Sequence, residues 1–276
     1  MKHAAVIGWP IEHSRSPLIH GYWLEKYNIC GTYKKLAVAP DRLSEFLMSL
    51  AAKGLEGCNV TVPHKEAAFA VADIKDASAV AVGAANTIWC EGARIACANT
   101  DTYGFMRHLE VSAPDWSRHA GPITILGAGG AARAIIFGFL QAGASDIQVF
   151  NRSRERAEAL ARHFGSKVKV LDWEQRTASS KNAGVIVNTT SLGLKGQGSP
   201  DIDFKGVQPD CVVADIVYVP LETAFLKAAR SHGLATVDGL GMLLHQAVPG
   251  FEKWFGRRPE VTPGLRAIIV ADIEAA

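Results

Sequence analysis

The stretch ITILGAGGAARAIIFGFLQAGASDIQVFNR, residues 123–152, decides the fold. An apolar strand, ITIL, runs into Gly127, Ala128, Gly129, Gly130, Ala131 and Ala132, and an apolar helix follows. Glycine at 127 permits a tight turn, glycine at 129 lets the backbone approach a pyrophosphate, and a small residue at 132 lets helix and strand pack closely. Phosphates then meet free N–H groups at the positive end of the helix. A glycine turn alone says little; here a strand precedes it, a helix follows it and a second strand, DIQVF, arrives at the right distance. The reading is a dinucleotide site. That second strand ends at Asn151-Arg152, where an NAD site usually places Asp or Glu on the ribose 2′-hydroxyl. The chain offers Arg152, Arg154 and Arg156 instead. Ser153 reads as a helix cap, so these cations crowd a helix N-terminus and oppose its dipole by roughly 0.3–1 kcal/mol each. Glu155 and Glu158 offset part of this, and a bound 2′-phosphate offsets more, since arginine forks suit phosphate geometry. The expectation is NADP rather than NAD.

Downstream, KVKVL, GVIVN, CVVADIV and LATVD read as further strands with helices between most of them, which argues for a parallel sheet covered on both faces. The last stretches, GMLLHQAVPGFEKWFG and GLRAIIVADIEAA, read as helices without a sheet of their own, expected to pack back on the first part of the chain. Upstream lies SAPDWSRHAGP (112–122), a candidate linker. Before it, AAVIG, TYKKLAVAP and GCNVTVP read as strands, and NTIWCEGARIACANTD as two strands around a turn at Glu91-Gly92. Ser16-Pro17 is expected to open a helix with serine as N-cap and Leu18, Ile19, Tyr22 and Trp23 on one face. Asp41 is expected to cap a helix carrying Leu43, Phe46, Leu47 and Leu50, ended by Gly54.

Composition excludes several classes. The 276 residues are 48 % hydrophobic, enough for a full core, and the net charge of +2 gives no basic field for a nucleic acid. The five cysteines, Cys30, Cys58, Cys90, Cys97 and Cys211, form no CxxC pair. They suggest neither a disulfide framework nor a zinc site, and fit a reducing cytosol. The N-terminal apolar run is broken by Gly8, Pro10 and Glu12, too short for a secretory signal, and no run reaches the ~20 residues of a membrane span. His13, His20 and His64 sit near the polar motifs below, but no HExxH spacing occurs, so no metal is expected. A GxSxG elbow for hydrolysis is missing as well.

Two polar clusters follow strands in the first part: Asn59-Val60-Thr61-Val62-Pro63-His64-Lys65 and Asn99-Thr100-Asp101. Ligands of open α/β sheets bind beyond strand carboxyl ends. Singly, each has a plain explanation: a solvated lysine, a helix-capping aspartate, turn residues at Ser14, Ser16 and Asn86-Thr87. Together, GWPIEHSRSP, NVTVPHK, GAANT, ANTD, GAGGAARA, NR, NTTSLG, DIVY and DGLGMLLHQA, running from Gly8 to Ala247, resemble the shikimate dehydrogenase family in order and spacing.

The resemblance implies an α/β fold: an N-terminal α/β substrate domain completed by C-terminal helices (1–102 and 240–276), around a Rossmann-like NADP-binding domain with a parallel sheet (103–239). It implies reversible NADPH-linked reduction of 3-dehydroshikimate to shikimate, a step toward chorismate and aromatic amino acids. Lys65 matches the catalytic acid/base and Asp101 its partner, itself a substrate contact. Ser14 and Ser16 match the serines on the substrate carboxylate, and Thr61, Asn86, Tyr218 and Gln246 match further substrate contacts. Gly127, Ala128, Gly129, Gly130 and Ala131, with Asn151, Arg152, Ser153 and Arg156, match the NADP contacts. Ile216, Gly239 and Met242 match residues near the nicotinamide end. The implied partner is a small molecule, with no nucleic acid or membrane, in a cytoplasmic monomer or homodimer. Two other readings share the motifs: a quinate/shikimate dehydrogenase using NAD or both cofactors, and a non-catalytic NADP sensor. An acidic residue in place of Asn151-Arg152 would favour the first, and loss of Lys65 or Asp101 the second. Gly21, where many members carry asparagine, departs from the pattern.

Overall fold

The computed structural model describes residues 1–118 and 121–275, so the junction read at 112–122 lies partly outside the described residues. The chain forms two compact units, Met1–Tyr103 with Leu244–Ala276, and Gly104–Leu243.

The first unit opens with β1 (Lys2–Gly8), α1 (Ser16–Lys26), β2 (Gly31–Ala37), α2 (Leu43–Met48), β3 (Gly57–Val60), α3 (Lys65–Val71), β4 (Ile74–Lys75) and α4 (Ala77–Val82). A hairpin of β5 (Thr87–Glu91) and β6 (Arg94–Ala98) follows, and α5 (Asp101–Ser112) leads out of the unit. The strand order is β2-β1-β3-β5-β6-β4. β5 is antiparallel to β3 and β6, while β1 pairs in parallel with β2 and β3 and β4 with β6. Because β5 runs against the rest, its first residue, Thr87, faces Asn59 and Ala98. One edge of this sheet therefore collects the ends of β3 and β6, the start of β5 and, beside β3, the end of β1. Its core holds Ile7, Leu47, Leu50, Val60 and Ile88 with Cys58 and Cys97.

The second unit runs β7 (Ile123–Leu126), α6 (Gly130–Gln141), β8 (Ile147–Phe150), α7 (Arg154–Phe164), β9 (Val168–Leu171), α8 (Arg176–Ser180), β10 (Val185–Asn188), β11 (Val212–Asp215), α9 (Ala224–Ser231) and β12 (Ala235–Val237). All its strand pairs are parallel. Its order, β12-β11-β10-β7-β8-β9, is a doubly wound sheet whose topological switch falls between β7 and β10. Successive strand residues alternate between two cores. Ile125, Val149, Val187 and Val212 join one with Ile135 and Phe139 of α6. Leu126, Phe150, Ile186 and Val213 join the other with Phe225 and Leu226 of α9. That period of two, apolar on both sides, is why the central strands β10 and β11 read as nearly unbroken hydrophobic runs. Full burial of a side chain such as Phe139 is worth roughly 1.5–3 kcal/mol. Cys211 belongs here as a small hydrophobe, burial pushing its thiol up to about 12.

From β12 the chain enters α10 (Gly239–Phe255) and then α11 (Pro263–Ala275), most of which belong to the first unit. The fully buried Trp254 of α10 lies across β3 and donates its indole N–H to the Ile88 carbonyl at 2.9 Å. Gly57 makes room for it: a Cβ there would meet the Ile88 oxygen at 2.1 Å and the Trp254 Nε1 at 2.3 Å. Trp23 of α1 donates to the Glu260 carbonyl, and Arg15 pairs with Asp272 at 2.7 Å.

The caps expected at Ser16 and Asp41 are corrected, as is the helix end expected at Gly54. Arg15, not Ser16, holds the cap position of α1, with Ser16 inside the first turn. The serine that serves a free amide there is Ser14, whose Oγ accepts from the Ser16 N–H at 3.3 Å. Asp41 lies inside a 3-10 turn, Pro40–Arg42, and does not cap α2, which starts at Leu43 and stops at Met48. Leu50 is still fully buried, and Gly54 turns with φ +70° beyond the helix. Ser153 does sit at the cap position of α7, but its side chain accepts no amide. At Gly21 nothing lies within 4 Å of an added Cβ, leaving only the small helix cost of glycine.

Candidate active site

In the first unit, Lys65 is the first residue of α3 and Asp101 the first of α5. Lys65 Nζ donates to Asp101 Oδ2 at 2.7 Å, with the two side chains 33 % and 18 % exposed. The pair is thus sheltered yet reachable. Asn86 Nδ2 donates to the other carboxylate oxygen, Asp101 Oδ1, at 2.8 Å. The Asn86 amide cannot turn over. Its oxygen accepts from the Thr100 N–H at 2.8 Å, the Thr100 hydroxyl at 3.1 Å and the Thr87 hydroxyl at 3.0 Å, which leaves its N–H₂ for Asp101.

The backbone beneath is equally tied. The Lys65 carbonyl accepts from the Ala85 N–H, and the buried His64 ring meets the Val38 carbonyl at 2.7 Å through Nε2. Asn59 donates to the Asn86 carbonyl and the Thr87 hydroxyl, and accepts from the Tyr33 hydroxyl at 2.6 Å. Asn99 accepts from the Asp101 N–H at the start of α5 and donates to the Ala84 carbonyl. A buried polar network, satisfied member by member, thus holds the trio Lys65, Asp101 and Asn86.

The other residues expected in this unit are placed separately. Ser14 lies in the turn before α1 and Ser16 is the helix's first residue, its N–H on the Ser14 hydroxyl. The half-buried Thr61 follows β3, its N–H on the Ile7 carbonyl. A Cβ on Gly8 would come within 2.7 Å of its methyl, so glycine is needed there. Gln246 lies half-buried on α10. Among the described residues, no hydrogen bond joins Ser14, Ser16 or Thr61 to the trio. His20 belongs to a different environment: fully buried, it stacks on Tyr33 at 3.9 Å, and burial lowers its pKa to about 3. It is a neutral core ring. Among the described residues no group of three His, Cys, Asp or Glu side chains converges as metal ligands.

In the second unit, Gly127 leaves β7 at φ +111°. A Cβ there would lie 2.6 Å from Thr189 Oγ1, whose own hydroxyl donates to the Leu126 carbonyl. The turn is therefore pressed against the end of β10, at the switch point. Gly129 and Gly130 are exposed, and an added Cβ would meet nothing within 4 Å. Together with Ala128 and Ala131 they leave the N-terminus of α6 open to a phosphate.

At the end of β8, Asn151 Nδ2 donates to the Ser153 carbonyl at 2.8 Å. Arg154 is committed to Glu158 at 2.9 Å and to Asp172. Arg152 and Arg156 are exposed, and no ion pair or side-chain hydrogen bond engages either among the described residues. Ile216, Tyr218 and Met242 are half-buried, Ile216 and Met242 against the α6-side core. Gly239 fits under the Ile216 carbonyl, which an added Cβ would strike at 2.3 Å.

Sequence reading missed a second buried network. Asp215, 1 % exposed at the end of β11, accepts from Asn188 Nδ2 at 2.9 Å and the Val217 N–H at 3.0 Å through Oδ1, and from the Thr223 hydroxyl at 2.7 Å through Oδ2. The available signal was a polar last residue on each of the apolar strands VIVN and VVAD. Burial raises the Asp215 pKa from 3.8 to about 6, and the three hydrogen bonds only partly oppose this. The folded chain thus holds this proton more tightly than the unfolded one. The corresponding stability is present below about pH 4 and lost as pH rises through about 6, about 3 kcal/mol in all. The wild-type minus Asp215→Asn difference in melting temperature is expected to fall between those limits. A flat difference across that window would contradict the burial effect.

Family comparisons cover most of the chain. Residues 6–88 match the shikimate dehydrogenase substrate binding domain, 114–194 the shikimate / quinate 5-dehydrogenase model, and 239–269 the shikimate 5′-dehydrogenase C-terminal domain. The chain is 53 % identical over 275 residues to the shikimate dehydrogenase (NADP(+)) of Azorhizobium caulinodans, covering 100 % of this chain and 98 % of the relative. Among solved structures, shikimate 5-dehydrogenase from Thermus thermophilus in complex with NADP(H) and shikimate aligns with a TM-score of 0.84 at 33 % identity, covering 99 % of this chain and 100 % of that one. Quinate dehydrogenase from Corynebacterium glutamicum in complex with NAD aligns with a TM-score of 0.88 at 28 % identity, covering 98 % and 99 %.

Proposed function

The chain belongs to the shikimate dehydrogenase family, and from that premise we propose that it is an NADP-dependent oxidoreductase interconverting 3-dehydroshikimate and shikimate. The observation that carries the reading is the sheltered Lys65–Asp101 pair, with Asn86 fixing the second carboxylate oxygen.

The unit built from both chain ends is the substrate domain, and Gly104–Leu243 the cofactor domain. The donor set of the second unit fits NADP. The open N-terminus of α6 takes the pyrophosphate, with Gly127, Ala128, Gly129, Gly130 and Ala131 around it. Arg152 and Arg156, with Asn151 and Ser153, take the 2′-phosphate, and Ile216, Gly239 and Met242 border the nicotinamide end. An exposed arginine where an NAD site keeps a carboxylate argues against the NAD-linked quinate reading. The intact Lys65–Asp101 pair argues against a mere sensor.

When bound, NADPH supplies the hydride. Lys65 supplies the proton: its ammonium donates to the substrate oxygen during reduction and recovers the proton from the hydroxyl during oxidation. Asp101 aims the lysine and the substrate hydroxyl, and Asn86 keeps Asp101 from swinging away. Ser14 and Ser16 hold the carboxylate, while Thr61, Asn86, Tyr218 and Gln246 make further contacts to the hydroxyls and carboxylate. These groups orient rather than react, so their loss raises KM more than it lowers kcat. Among the described residues no helix is long and apolar enough to cross a membrane; the proposed enzyme is cytoplasmic, a monomer or homodimer.

Mixing the protein with shikimate and NADP⁺ is expected to raise the reduced-nicotinamide absorbance promptly, with quinate or NAD⁺ giving a far slower rise. Equal rates with NAD⁺, or faster turnover of quinate, would replace this reading with its rival.

A further inference from the structure

We propose that Asp215 is a positioning residue for the nicotinamide end of the cofactor site, locking the 216–219 segment into the shape that receives the ring. This rests on the functional reading above, in particular on Ile216 and Gly239 bordering that end.

Asp215 is buried and reaches no solvent-facing ligand, so any role it has is exerted through neighbours. Its neighbours are all the elements that shape the segment. Asn188, which it holds by Nδ2, accepts from the Ile216 N–H through its own carbonyl at 3.1 Å. Asn188 also organises the loop after β10, donating to the Leu192 carbonyl and accepting from the Thr190 N–H and hydroxyl. The Val217 N–H ends directly on Asp215. Thr223, bound to the other carboxylate oxygen, caps α9 by accepting from the Leu226 N–H. At the far side the Val219 carbonyl accepts from the Lys195 N–H at 2.7 Å. Ile216 is thus pinned at its own N–H and at the next residue's, and its carbonyl rests on Gly239, where no side chain fits.

Chemistry explains why a carboxylate stands here. Three donors arrive from three directions, and two carboxylate oxygens take them all. An amide offers one oxygen and turns an N–H₂ toward a donor. Burial disfavours the ionised form of this acid and so raises its pKa, the kind of cost that proteins carry where function demands a fixed geometry.

The test separates the two halves of the cofactor. Binding of NADPH and of adenosine 2′,5′-bisphosphate, which lacks the nicotinamide, is measured by titration calorimetry on wild type and Asp215→Asn. NADPH is expected to weaken about tenfold and the bisphosphate less than about twofold, since misplacing a positioned group costs geometry and not anchoring. Thr223→Val is expected to repeat the pattern, and Thr223→Ser to restore it, which covers the case of an aspartate variant that does not fold. Unchanged NADPH binding, or equal weakening of both ligands, overturns the proposal. A wild-type protein that binds NADPH no more tightly than the bisphosphate, and forms no NADPH from shikimate, overturns the functional reading itself.

Discussion

Lys65→Ala is expected to lower kcat for shikimate oxidation by about 10²–10⁴-fold, the usual cost of losing a positioned acid–base group. NADP⁺ affinity should barely move. The two effects part because the lysine sits at the start of α3 in one unit, while the glycine turn and Arg152 are built wholly within the other. The variant is also expected to fold. Lys65 is part-exposed, and truncation leaves no buried donor orphaned. Asp101 keeps Asn86 on one oxygen and its own N–H on Asn99. Steady-state rates at saturating shikimate, with fluorescence titration of NADPH, check both halves. Turnover within about threefold of wild type would remove Lys65 from the chemistry.

Arg152→Ala is expected to weaken NADP⁺ binding about ten- to a hundredfold, as for lost hydrogen bonds to a charged group, while NAD⁺ binding changes little. The structure supplies its own control in the neighbouring arginine. Arg154 is occupied by Glu158 and Asp172, so Arg154→Ala should leave the ratio of NADP⁺ to NAD⁺ affinity nearly unchanged despite removing the same charge. Arg152 is exposed and engaged by no acid among the described residues. Titrating both cofactors against both variants decides it. If the two substitutions act alike, the 2′-phosphate is read by net charge near α7 and not by a particular side chain.

Sequence and structure agree most where a physical signal is local. The run from Ile123 to Arg152 carries strand, turn, helix and strand in one window, and all four occur as read. The central strands β10 and β11 of the second unit are legible because they are buried on both faces and apolar up to their last residue. The two-residue β4 and the short helices α3 and α4 leave no periodic trace long enough to recognise. Ser16 and Asp41 have the chemistry of caps, but α1 starts one residue early in one case, with Arg15 at the cap and its carbonyl taking the Leu18 N–H, and a 3-10 turn displaced the helix start in the other. The Asn188–Asp215–Thr223 network joins positions far apart along the chain, and no local pattern announces a contact of that kind.

Trp254 covers β3 and Ile88 from a position 166 residues further along the chain. A ribosome that has made only the first hundred residues has made a sheet still missing the helix that closes over it. The six strands of the inserted segment, by contrast, leave the ribosome as one uninterrupted run. Synthesis thus delivers the second unit while the first still waits for its last two helices.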